Sequence, residues 1–220
     1  MKRSLLSLAL IVSAIFQVCG QGAYVEYKLM VDDKYPGTVK TYSYDGSDRI
    51  ESVTEMPGMP KGISIVLLST KGIPDTTFLL NEKKKTFSPL IDDKPDTNYT
   101  IVVGANENVD SFNCKHVKVV YKKSNKELEM WITSEIADYG FFKKVKNSYV
   151  DDDLNRKLSA QGIDGILVKL VERKGHSHER LDLVKILKLN IDPGTVSLEG
   201  YTRTPPLTRT QQVMQLLQQR

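Results

Sequence analysis

The 220-residue chain carries 31 Lys+Arg against 27 Asp+Glu, a formal charge of +4, with 40% hydrophobic and 8% aromatic residues. The two signs are interspersed, which excludes the concentrated basic footprint of a nucleic-acid binder. The length is enough to bury a core of its own.

The first twenty residues read as an export signal. Lys2 and Arg3 form a positive start, Leu5 to Phe16 is almost wholly apolar, and Val18-Cys19-Gly20 suits a cleavage site. An apolar run of ~12 residues is too short to span a bilayer as a helix. Cleavage near Gly20 is expected, giving a periplasmic or secreted protein that begins at Gln21 and carries about +2. A lipoprotein acylated at Cys19 is the competing reading, weakened by Val18 where a lipobox carries a small residue. With Cys19 removed, Cys114 stands alone, no intrachain disulfide forms, and the core has to hold the fold.

Strand signals dominate the rest of the chain. Ala23 to Asp32 alternates, and Thr38 to Tyr44 and Arg49 to Thr54 flank Asp45-Gly46, a strong hairpin turn. Met56 to Gly62, with two prolines, reads as a loop. Ile63 to Ser69 is an apolar run broken at Gly72-Ile73-Pro74, and Thr76 to Leu80 and Thr86 to Leu90 make a hairpin about Asn81 to Lys85. Lys83-Lys84-Lys85 fits a solvated turn. Asp92 to Asn98 reads as loop, and Tyr99 to Val103 as strand.

Phe112 to Ile136 is the clearest hairpin. Val117, Val119 and Tyr121 share one face, Lys123 to Lys126 turn, and Leu128, Met130 and Ile132 return. Ala137 to Lys146 and Asp152 to Ala160 have helical spacing, with Asp151 to Asp153 suited to a helix start and Gly162 to its stop. Gly165 to Arg173 and Arg180 to Ile191 are the last long strands. In the second, Leu181, Leu183, Leu187 and Leu189 oppose Val184 and Ile186, a pattern expected of burial on both faces. A tail begins after Tyr201; Pro205-Pro206 stops any strand, and Thr208 with Gln211 resembles a capping box ahead of a short helix over Val213 to Gln219.

These elements predict a β-rich α+β protein. Residues 21–203 are expected to form one domain, a strongly curved antiparallel sheet with helices packed against its concave face, and 204–220 a tail with a short helix.

Site chemistry is sparse. His176 and His178 offer two imidazoles at i, i+2 but no third ligand nearby, and structural zinc takes about four. Met56 and Met59 could present thioethers to copper. Asp151 to Asn155 lacks the glycine and glutamate of a calcium loop. Cys114 and His116 share a strand face, the one arrangement that suggests a thiol nucleophile, but without a third group. No GxSxG, HExxH, CxxC or phosphate-binding loop occurs. No catalytic residue, metal site or cofactor is therefore assigned.

Several pieces in order resemble a known family: Gly104 to Val120 leading into the Cys114 strand, Trp131-Ile132-Thr133-Ser134-Glu135-Ile136, Gly162 to Leu170, and Val196-Ser197-Leu198-Glu199-Gly200-Tyr201. Together they resemble the exported bacterial family called domain of unknown function 4412 over about Ala23 to Tyr201. The GLPGLI-type exported family shares the Cys strand, but Gly165-Ile166-Leu167-Val168 is not a GLPGLI run. The resemblance implies the half-barrel of periplasmic lipoprotein carriers. It implies a non-enzymatic binding protein for a lipid, a lipidated chain or another apolar ligand, and carries no site residues. The alternatives are an interaction or structural protein of the envelope or outer membrane, and a small enzyme using Cys114 and His116.

Overall fold

The computed structural model describes residues 20–91, 96–143, 145, 150–208, 211 and 214. The expected signal segment and the apolar stripe of the expected tail helix lie outside them. Twelve strands, β1 (Gly20–Val31), β2 (Tyr35–Tyr44), β3 (Ser47–Met56), β4 (Met59–Thr70), β5 (Ile73–Asn81), β6 (Thr86–Pro89), β7 (Tyr99–Val109), β8 (Phe112–Tyr121), β9 (Lys126–Thr133), β10 (Ile166–Lys174), β11 (Ser177–Ile191) and β12 (Thr202–Arg203), form one open, curved sheet. Its order is β12-β6-β5-β4-β3-β2-β1-β11-β10-β9-β8-β7. Two meanders, β1 to β6 and β7 to β11, are therefore joined where the first strand pairs with the last long one. All neighbours are antiparallel except β12 and β6, which run parallel.

Turn chemistry explains the first hairpins. Asp45 (φ 47°) and Gly46 (φ 77°) make the two-residue turn between β2 and β3. The loop expected over Met56 to Gly62 is instead a second tight hairpin, with Met56 paired to Met59. Pro57 fills the first turn position and Gly58, at φ 72°, the second, the places a type II turn reserves for them. Pro60, which lacks an N–H, follows directly on the irregular register beside Met56.

α1 (Tyr139–Phe142) is a single turn, not the helix expected over Ala137 to Lys146. Asp138 enters it at φ 60° without a side-chain cap, and Gly140 lies inside it. α2 (Asp152–Ser159) matches its prediction. Asp151 Oδ1 accepts from Leu154 N–H at 2.8 Å, and Ile163 N–H closes the C-terminus on Leu158 O at 3.0 Å.

The main core lies beneath α2. Leu154 and Leu158, with Val150 and Ile163, pack on Val25, Val39, Val117, Val119, Met130, Leu170 and Leu181. Tyr99 O–H donates to Asp153 Oδ2 at 2.8 Å, tying α2 to β7. The predicted inward residues of the β8–β9 hairpin all join this core.

The opposite face has its own clusters. Val66, Leu68, Phe78, Leu80 and Ile191 are covered by Val196, Leu198 and Tyr201, on a 3-10 turn at Pro193–Val196 and the segment after it. Cys114, Trp131, Val168 and Val171 form another.

β11 departs from expectation. Val184 is 61% exposed and Leu189 40%, so the strand is not buried on both faces. A bulge opposite Glu26/Tyr27 shifts the register, so Ile186 instead joins Leu181 and Leu183 over the main core. The chain beyond Tyr201 also stays with the sheet, through β12 and a bridge between Leu90 and Leu207.

An ion network secures this crossing. Glu82 accepts from Arg49 and Tyr201 at 2.7 Å each and from Lys85 at 3.0 Å. Burial alone would raise its pKa, but the hydrogen bonds from Tyr201, Lys85 and Arg49 outweigh that and hold it at about 2, below the ordinary 4.5. The folded state thus binds this proton more weakly than the unfolded chain. Its stabilisation is complete above about pH 5 and is lost as pH falls towards 2. After discounting for solvent screening it is roughly 1–2 kcal/mol. Glu82→Gln should remove that much at neutral pH and flatten the acid limb of a urea-melt series; an unaltered limb would refute the assignment.

Candidate functional site

On the face carrying α1 and α2, a cleft of about 500 Å³ opens between α1 and the strand ends at the β2–β3 turn. Ala23, Tyr44, Phe141 and Val145 supply apolar surface, while Gln21, Ser43, Asp45, Asp48 and Lys71 supply polar groups. Gly22, Gly46 and Gly140 also line it.

Each wall has a local cause. Phe141 packs edge-on against buried Phe142 with centroids 5.2 Å apart. The Lys188 ammonium lies 5.2 Å from the Phe141 ring and 2.8 Å from Asp138. Asp48 is 5% exposed and accepts from Ser43 Oγ across the hairpin. Lys71, from the β4–β5 turn, pairs with Asp45 at 3.0 Å. The cleft therefore offers an apolar side and a charged, hydrogen-bonding side. None of this was visible in the sequence as a site, because Ala23, Asp48, Lys71 and Phe141 come from four separate segments.

Two further clefts flank α2. One of about 240 Å³ lies among Tyr139, Lys143, Val150, Leu158 and Leu167. The other, about 600 Å³, is lined mainly by polar groups, including Asn106, Asn113, Thr133, Glu135 and Gln161. Between sheet and α2 the space is filled: Leu154 is 0% and Leu158 3% exposed.

The residues singled out in the sequence fall elsewhere. Cys114 is 0% exposed, burial pushes its thiol pKa up, and Sγ contacts Phe112 O at 3.7 Å. His116 stacks on Trp131, with centroids 4.6 Å apart and rings 8° from parallel, and its Nδ1 lies 3.1 Å from Glu107 Oε1. No thiolate–imidazole pair is built. His178 Nδ1 lies 3.3 Å from Asp33, while His176 stands exposed in the turn. Met56 and Met59 face each other across their hairpin. Asp151 caps α2, and Asp153 pairs with Lys157 at 2.8 Å. Among the described residues, no three His, Cys, Asp or Glu side chains gather as a metal site, and no helix is long and apolar enough to cross a membrane.

Solved structures align with the chain at low identity, one of them at a TM-score above 0.5. The PNGF-II structure in a C2 crystal form aligns at TM-score 0.53 and 12% identity, over 91% of this chain and 34% of that one, so this chain spans about a third of its length. An uncharacterized conserved protein from Thermus thermophilus aligns at 0.48 and 9%, over 92% and 99% of the two chains. The MucA/MucB complex of Pseudomonas aeruginosa aligns at 0.41 and 9%, over 82% and 58%. At these identities the likeness concerns fold alone. No curated protein matches significantly in sequence. The profile of one family matches from Val25 on β1 to Val196 on the crossing segment, taking in both meanders and α2; the chain belongs to the family described as domain of unknown function (DUF4412), over residues 25–196.

Proposed function

We propose that this is an exported, non-enzymatic binding protein of the bacterial envelope that holds an amphipathic ligand, a lipid or lipidated chain, in the cleft between α1 and the β2–β3 turn. In this reading the helices cover the concave face of a half-barrel, and the ligand enters at its rim rather than its packed centre. The observation that carries it is the divided lining: Phe141, Val145 and Ala23 suit an acyl or ring portion, and Lys71, Asp45 and Asp48 a polar head. Signal-directed export is part of the proposal. The resemblance to lipoprotein carriers supports it by analogy only.

Gly140 provides the test. Gly140 lines the cleft, and a Cβ there would meet nothing within 4 Å, so the backbone has room to carry the side chain of Gly140→Phe at the cleft wall. Wild-type protein purified from its native host should carry an amphiphile detectable by native mass spectrometry, and Gly140→Phe should be empty with its unliganded melting temperature kept. Ligand at a hundred times its Kd should stabilise the wild type by ~2.7 kcal/mol. A wild type that is empty and is not stabilised by acyl probes would refute the proposal.

Edge strand β7 favours a second reading, an interaction protein. Among the described residues it has a strand partner on one side only, and Val102 is 55% exposed. Tyr99 to Ala105 carries no charge to discourage strand addition by a partner.

A further inference from the structure

The two edges of the sheet are finished differently. Along β6 the returning chain forms a strap. Thr202 N–H donates to Lys85 O at 2.9 Å, Thr204 N–H to Phe87 O at 2.8 Å and Leu207 N–H to Pro89 O at 3.3 Å. The strap's own strand, β12, has two residues, and Pro205 and Pro206 after it carry no N–H, so a further strand finds little to pair with there. Among the described residues, no strand covers the outer side of β7. Its run from Tyr99 to Ala105 has neither proline nor charge. Val102 and Val103, on opposite faces of that run, are 55% and 39% exposed. A sheet that blunts one edge and leaves the other bare has one edge suited to pairing.

The charges tied to β7 are sorted between its ends. At its start the Lys157 ammonium lies 4.2 Å from the centroid of the Tyr99 ring, and Lys122 N–H donates to Asn98 O at 2.9 Å. Asp153, which accepts from Tyr99, is shared between Lys157 at 2.8 Å and Arg156 at 3.4 Å. Asp96 turns back on its own loop, accepting from Asn98 N–H at 3.1 Å. At the far end stand Glu107 and, in the turn after β7, Asp110. Glu135 joins them by accepting from Asn113 at 3.1 Å, with Lys115 as the cation opposite Asn106. The start therefore leans basic and the end acidic.

This layout selects a partner. An antiparallel strand of the same sequence sets start against end, so the basic end of each copy meets the acidic end of the other. A parallel copy would set like against like. Self-pairing also uses up the one bare edge of each copy, so it closes at two instead of growing into a fibre.

We propose that two copies of this chain pair β7 with β7, antiparallel about a twofold axis near Val102, and so join their sheets into one. The inference rests on the second reading above, strand addition at β7, and names the strand that is added.

Sedimentation equilibrium on protein purified from its native host tests it. The wild type should be a dimer at about 100 μM and dissociate on dilution. Val102→Lys sets two like charges beside the axis and should weaken the dimer roughly a hundredfold. Val184→Lys, at a valine 61% exposed on β11 in the middle of the sheet, should leave it unchanged. Hydrogen exchange on the wild type reads the same contact without a substitution. The alternate amides of 100–103 that point away from β8 should exchange roughly tenfold more slowly in the dimer than after dilution. A dimer that tolerates Val102→Lys, or exchange that ignores dilution, would overturn the proposal. A monomer at 100 μM would overturn it too. Fast exchange of those amides in that monomer would leave strand addition by a different chain standing, and slow exchange would remove both readings.

Discussion

Trp131→Ala is expected to lower the unfolding free energy by about 3–4 kcal/mol, the range for removing a large buried aromatic. Trp131 is 9% exposed and lies in the middle of a four-strand ladder. Its ring stacks on His116 of β8, the Lys169 ammonium of β10 sits 4.9 Å from its centroid, and its Nε1–H donates to Glu107 Oε2 of β7 at 2.8 Å. Alanine removes the apolar area, the stack and the cation–π contact together. Trp131→Phe retains area and stacking and loses one hydrogen bond to a carboxylate that is 47% exposed and can turn to water. It should cost about 1 kcal/mol. Urea melts of both variants decide this: equal losses would show that the stack contributes nothing and the indole N–H everything.

Leu154→Ala should cost about 3 kcal/mol and loosen α2. Leu154 is 0% exposed and is one of the two α2 residues, with Leu158, buried in the main core. With eight residues, α2 is too short to persist without that packing. Its remaining ties are the Asp151 cap, the Tyr99–Asp153 hydrogen bond and Leu158. Hydrogen exchange should therefore rise over 152–160 before it rises over β8 and β9. A variant in which helix and hairpin exchange together would mean that α2 has no independent opening and belongs to one cooperative unit with the sheet.

The two variants probe the two faces of one hairpin, and the hairpin was legible because alternation is a local signal. Val117, Val119 and Tyr121 had to share a side whatever the rest of the chain did. The Asp45-Gly46 turn and the Asp151 cap were legible for the same reason, since each depends on residues within four positions. Local rules failed where the chain is irregular. Two prolines around Met56 read as a loop, whereas Pro57 is a turn residue and Pro60 falls beside a register shift. The faces of β11 were assigned by unbroken alternation, whereas the bulge opposite Glu26 and Tyr27 moves Ile186 to the other side and leaves Val184 in solvent. A bulge depends on the partner strand, here more than 150 positions away, and leaves no mark in the strand's own residues.

The candidate cleft was not legible at all. Asp48 and Lys71 belong to no motif, and Phe141 falls within the helix expected over Ala137 to Lys146, because nothing local distinguishes a cleft wall from a surface. Cys114 and His116, the residues with chemical promise, proved to be a buried thiol and one layer of an aromatic stack.

By itself, the sequence determined the strand-rich composition, the β8–β9 hairpin, the cap of α2 and the order of segments that marks the family, all set by short-range sterics and hydrogen bonding. Tertiary structure alone decided that the first and last long strands join the two meanders, that the segment after β11 crosses the face opposite α2, and that the start of β1 and two turns meet α1 around a cleft. Those outcomes are set by which apolar surfaces find each other when the sheet closes, a free energy that belongs to pairs of segments and is carried by neither one alone.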